Sequence, residues 1–130
     1  MHELTPGLMG ERSTVVTEAN TARHLGSGSV EVLATPEMIR LMEQAAVAAV
    51  DHLLPQGQRT VGVQVDVRHL AATPLGMTVT ARAKLLEVDN RRLLFHVTAY
   101  DDADKIGEGT HERFIVDLAR FAERLAKKRP

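Results

Sequence analysis

Between Thr35 and Leu53 the apolar residues recur at the helical period. Advanced at about 100° per residue, Met38, Leu41, Met42, Ala45, Ala46, Ala49, Val50 and Leu53 share one broad face, and Glu37, Arg40, Gln44 and Asp51 gather opposite. Glu43 lies outside that polar arc, at the edge of the apolar surface among Ile39, Val47 and Val50. Acids are rarely buried without a partner, because the charged form loses its hydration. Glu43 is therefore either a glutamate bending out to solvent or a candidate catalytic carboxylate. Thr35-Pro36 predicts the helix start, with Thr as N-cap and Pro at the first helical position. Pro55-Gln56-Gly57 stops the helix near Leu54.

Elsewhere the pattern alternates with period two, as strands do. Residues 1–10, with Pro6, Gly7 and Gly10, read as loop, and Arg12–Glu18 as a first strand. Gly26–Ser29 reads as flexible loop and Val30–Leu33 as a short extended lead into the helix. In Thr60–Arg68 the valines 61, 63, 65 and 67 share one face. Met77–Val88 alternates until its phase is lost near Leu86, which predicts a bulge or strand end. Asp89–Arg91 and Asp101–Lys105 are turns around a strand at Arg92–Tyr100. Ile106–Val116 is the last strand, its two glycines marking a bend, and Asp117–Lys128 closes as a short amphipathic helix. Short connections require antiparallel pairing. A very apolar helix followed by such a meander predicts an α+β fold, one domain over residues 1–130, with the sheet wrapped around the helix. A sheet edge and a helix flank stay open, and dimerisation would cover both.

Composition narrows the function classes. The 130 residues carry 16 basic and 17 acidic side chains, a formal net charge of −1, which implies no field for nucleic acid or acidic membranes. Aromatics are 3%, too few for base-stacking platforms. Cysteine is absent, which excludes disulfides, thiolate metal sites and a cysteine nucleophile. No signal-peptide pattern and no spanning apolar stretch are visible, so a cytoplasmic location without membrane attachment is expected. The histidines show no metal spacing such as H-x-x-x-H; His24, His52, His96 and His111 read as exposed or satisfied. His111 and Glu112, adjacent on a strand, point to opposite faces.

The segments ATPEMIRLMEQAA (34–46), VGVQVDVRHLAATPLG (61–76) and IGEGTHERFIVD (106–117) resemble those of hotdog-fold acyl-CoA thioesterases, specifically the fluoroacetyl-CoA thioesterase-like family. The likeness in element order spans residues 8–125. The resemblance implies a hotdog fold and hydrolysis of a small or medium acyl-CoA to the free acid and coenzyme A. It implies catalytic roles for Thr35, Glu43 and His69, and a backbone N–H at Gly62 facing the thioester carbonyl. Arg113 matches a family arginine that either meets coenzyme A phosphates or pairs with an acid. No metal and no cofactor are implied, coenzyme A being part of the substrate.

These residue types suit the chemistry. Thioester hydrolysis needs a nucleophile or activated water, a base, and donors for the developing oxyanion. Glu43 would attack the carbonyl directly or activate water; His69 would transfer protons or orient Thr35. Thr35 and Glu43 are eight residues apart, roughly 12 Å along a regular helix. Either the chain before Pro36 folds back, or residues of two protomers meet, as the resemblance implies for an obligate dimer or a tetramer. Fluoroacetyl-specific enzymes carry bulky aromatics before the helix, whereas Leu25–Val30 has none, which implies a more open pocket. The alternative is a non-catalytic hotdog module binding an acyl or small aromatic ligand.

Overall fold

A computed structural model describes residues 3–130; the first two residues of the expected N-terminal loop lie outside them. Five strands, β1 (Met9–Val15), β2 (Gln58–His69), β3 (Thr78–Asp89), β4 (Arg92–Tyr100) and β5 (Lys105–Asp117), form one antiparallel sheet in the order β1-β3-β4-β5-β2. The sheet curls around α2 (Thr35–Val50), the hotdog arrangement. A one-turn helix α1 (Ala22–Leu25) precedes it, and α3 (Leu118–Ala126) follows β5.

The core is the helical stripe read from the sequence. Met38, Leu41, Met42, Ala45, Ala46, Ala49 and Val50 are buried against Val79, Ala81, Ala83 and Leu85 of β3 and Leu93, Phe95, Val97 and Ala99 of β4. Alanines on both surfaces let helix and sheet approach closely. The approach is tightest at Gly10 of β1, where a Cβ would lie 2.0 Å from the Ala45 carbonyl oxygen. That contact explains a glycine inside a strand, where the sequence suggests loop.

Several features differ from expectation. The first strand is Met9–Val15 rather than Arg12–Glu18, because Thr17–Asn20 closes a tight turn in which the Thr17 amide donates to Asn20 Oδ1. The expected loop at Gly26–Ser29 is present, but a one-turn helix, α1, precedes it and ends at Gly26, in the left-handed conformation (φ 73°) that glycine tolerates. The long helix is α-helical only to Val50 and tightens into a 3₁₀ turn over Asp51–Leu53. The valine face of β2 is not a buried face. The ladder slips between Gly62 and Gln64, which breaks the alternation. With β2 at the sheet edge, Val63 is 50% and Val65 37% exposed. The bulge expected near Leu86 is present, between Leu85 and Glu87.

Candidate active site

Thr35 lies in the first turn of α2, but it is not the cap. The N-cap is Ala34, which has no side chain to offer, and Pro36 occupies a position where a missing amide hydrogen costs nothing. The entry is held instead by backbone: the Leu33 amide donates to the Thr73 carbonyl and the Ala34 amide to the Asn20 carbonyl. The Thr35 hydroxyl is thus available, and its Oγ1 lies 2.7 Å from Nδ1 of His69. His69 is the last residue of β2, and the next amide, of Leu70, donates to the Ile106 carbonyl, which fixes the strand end beside α2.

His69 Nε2 is buried and has no hydrogen-bond partner among the described residues. Burial lowers the His69 pKa more than the neighbouring Ala71 backbone raises it. A neutral imidazole has one accepting and one donating nitrogen. In the tautomer whose Nδ1 accepts from the Thr35 hydroxyl, Nε2 carries the proton; in the other, Nδ1–H donates to that hydroxyl. A cavity of about 400 Å³ borders the pair, lined also by Ala22, Ser27, Leu70 and Ala71.

Glu43 stands two turns further along α2, in a different setting. Its Oε2 lies 3.5 Å from Arg113 Nη1 and 3.9 Å from His111 Nε2. A Cβ on Gly62 would approach that Oε2 to 2.8 Å, so glycine at this position leaves room for the carboxylate. The Glu43 side chain is 40% exposed and borders a second cavity of about 470 Å³, shared with Arg12, Arg40 and Val47. Arg113 is 6% exposed, donates to Thr60 Oγ1 (2.8 Å), the Thr60 carbonyl (3.0 Å) and His111 Nε2 (3.0 Å), and faces Glu43. The guanidinium therefore meets an acid of its own chain, and it also lines the cavity beside Glu43.

One chain thus unites Thr35 with His69, and Glu43 with Gly62 and Arg113, but not the two groups with each other. The chain does not fold back before Pro36, since Thr35 is itself helical. Of the two sequence readings of His111, exposed or satisfied, the second holds, though its place beside Glu43 was not foreseen. It is 1% exposed, and its Nδ1–H donates to the Gln64 carbonyl at 2.8 Å. Only the β2–β5 register, which sets His111 opposite Val65 beside the bulge, reveals this. No metal-holding cluster of His, Asp or Glu occurs among the described residues, and none of their helices is long and apolar enough to cross a membrane.

Burial also lowers the His111 pKa, with the Arg113 charge adding to it. Both His69 and His111 are therefore held neutral, with folded pKa values below the unfolded value of about 6.5. In the window between, the unfolded chain binds more protons than the native one, so stability falls as pH falls. Thermal melts should show Tm constant above about pH 7 and declining as pH drops below about 6.5. A Tm that rises on acidification through this range would contradict the assignment.

The chain and its fold have counterparts among known proteins. A family model described as fluoroacetyl-CoA-specific thioesterase matches residues 16–119. A fluoroacetyl-CoA thioesterase of Streptantibioticus cattleyicolor is 43% identical over 94% of both chains. The solved structure of a fluoroacetyl-CoA thioesterase superposes with a TM-score of 0.91 at 38% identity, covering 99% of this chain and 100% of that one. A threonine-to-serine mutant of that enzyme in complex with acetyl-CoA gives 0.90 at 39% identity, covering 98% and 100%. With the same helix, sheet order and full-length correspondence, the chain belongs to the fluoroacetyl-CoA-specific thioesterase family.

Proposed function

We propose that this protein hydrolyses the thioester of a small or medium acyl-CoA, releasing the free acid and coenzyme A. The observation that carries the reading is the Thr35–His69 contact at the mouth of an open cavity, in a chain that also holds Glu43 beside a buried arginine. Thr35, Glu43 and His69 are the catalytic residues. Glu43 supplies the base or nucleophile: it removes a proton from the attacking water, or adds to the carbonyl carbon and expels the thiolate as a mixed anhydride forms. The Thr35 hydroxyl and His69 orient the thioester and return a proton to the leaving sulfur. The Gly62 backbone faces the developing oxyanion, where a fixed N–H stabilises charge that grows in the transition state.

The site is completed between two copies of the chain. Thr35 and Glu43 sit on one straight helix, roughly 12 Å apart, too far for both to reach one carbonyl. The edge strand β2 carries exposed Val63 and Val65, an edge that a second copy would cover. A homodimer with two equivalent sites satisfies both conditions, and a tetramer of such dimers would retain them. The absence of cysteine suits the reducing cytoplasm, where we place the enzyme.

The lining of the cavity beside Thr35 contains no Phe, Tyr or Trp. Nothing in it screens the pocket by bulk, so acetyl-, butyryl- and hexanoyl-CoA should all be turned over alongside fluoroacetyl-CoA. Release of free thiol across that panel is the test. Turnover confined to fluoroacetyl-CoA would overturn the open-pocket reading, and no turnover above buffer with any of them would overturn the enzyme.

A further inference from the structure

We propose that His111 is a positioning residue for the Glu43 half of the site: it holds Arg113 against Glu43 and pins the β2 bulge that carries Gly62. The proposal rests on the thioesterase reading above. Its argument is one of donors and acceptors. His111 lies on β5, between β4 and the edge strand β2, its ring 6.4 Å from that of Phe95. One ring nitrogen is committed, since Nδ1–H donates to the carbonyl of Gln64. In a neutral ring the other nitrogen then carries a lone pair, and Nε2 accepts from Arg113 Nη1.

Each bond meets a need. A bulge leaves a residue of the ladder unpaired, and the slip here falls between Gly62 and Gln64. The His111 side chain satisfies the Gln64 carbonyl and so fixes the bulge in place. Arg113, for its part, is gripped on two further edges. Its Nε and Nη2 donate to Thr60, whose hydroxyl donates to Asp51 Oδ1 at 2.6 Å and whose amide donates to Asp51 Oδ2. Thr60 and His111 between them set the guanidinium plane, which leaves Nη1 facing Glu43. A histidine that merely filled core space would need neither bond, and phenylalanine would serve as well.

The test compares His111→Phe with His111→Gln, whose amide oxygen can replace the Nε2 acceptor. Two measurements are made, steady-state kinetics on acetyl-CoA and NMR of the Arg113 guanidinium protons. In His111→Phe, kcat should fall about 100-fold with KM little changed, the cost of a misplacement near 1 Å. In His111→Gln at least about tenfold of that loss should return, a partial restoration of the same positioning. Slowly exchanging Arg113 signals should be present in the native protein and in His111→Gln, and lost in His111→Phe. Unchanged Arg113 signals in His111→Phe, or their loss with native kcat, overturn the proposal. Should the native protein hydrolyse no acyl-CoA, the thioesterase reading fails by itself, and the Arg113 signals still decide whether His111 positions that group. Should His111→Phe not fold, His111→Gln decides: loss of the Arg113 signals in a folded protein overturns the proposal.

Discussion

Replacing Glu43 by glutamine should lower kcat about 10³-fold, within the range that a general base contributes, while the fold survives. The replacement is nearly isosteric, so the volume beside Gly62 is unchanged. What disappears is the negative charge and the lone pair able to take a proton or attack carbon. A loss of 10³ corresponds to about 4 kcal/mol of transition-state stabilisation. Stability should move far less, because the side chain is 40% exposed and ion pairs that reach solvent contribute about 0–1 kcal/mol. Tm near native together with a collapsed kcat separates catalysis from folding; full activity in Glu43→Gln would remove the carboxylate from the mechanism. A single turnover in isotopically labelled water then tests for direct attack. Unlabelled product acid identifies direct attack by Glu43, followed by hydrolysis at its own carbonyl.

Local patterning made the hydrophobic framework legible and the polar site much less so. Seven of the eight apolar positions assigned to the helical face are buried in α2; the eighth, Leu53, lies in the 3₁₀ turn beyond it. The bounds of β4 coincide with the expected Arg92–Tyr100, and the loss of phase in β3 marked a real bulge. In these elements one face is buried, in β3 as far as Leu85, so period and structure agree. They part where a non-local contact decides. Thr35 has the residue type and place of an N-cap, yet its hydroxyl meets a histidine 34 positions away, and a buried alanine takes the cap position. The valines of β2 alternate as a core strand would, yet the strand lies on an edge and slips at Gly62, so Val63 and Val65 are exposed while Val67 packs partly against the core. His111 has no pattern of its own. Its importance comes from the strand opposite, and the register of two strands so far apart in sequence is not written in either one.

The separation of the two polar groups makes a stronger test than any single substitution. Thr35→Ala and Glu43→Gln should each be inactive as homodimers, the first because it removes the hydroxyl held 2.7 Å from His69. Co-expressed with separate tags and purified through both, the two chains should be recovered as a mixed form of the proposed dimer. If each site takes Thr35 and His69 from one protomer and Glu43 from the other, one site of that dimer carries both substitutions and the second carries neither. The mixed dimer should then recover about half of native activity per dimer, against a background about 10³-fold lower in either parent. If all three residues of a site came from one chain, every site would carry one lesion and mixing would restore nothing. The helix argues for the first outcome: eight residues of straight α-helix separate Thr35 and Glu43 by roughly 12 Å, while a thioester carbon and its leaving sulfur are one bond apart. The edge strand argues the same way, since a partner docked along β2 would cover Val63 and Val65 and lie beside the strand that holds Gly62 at Glu43 and His69 at Thr35. Recovery in the mixed dimer would establish that shared architecture by activity alone.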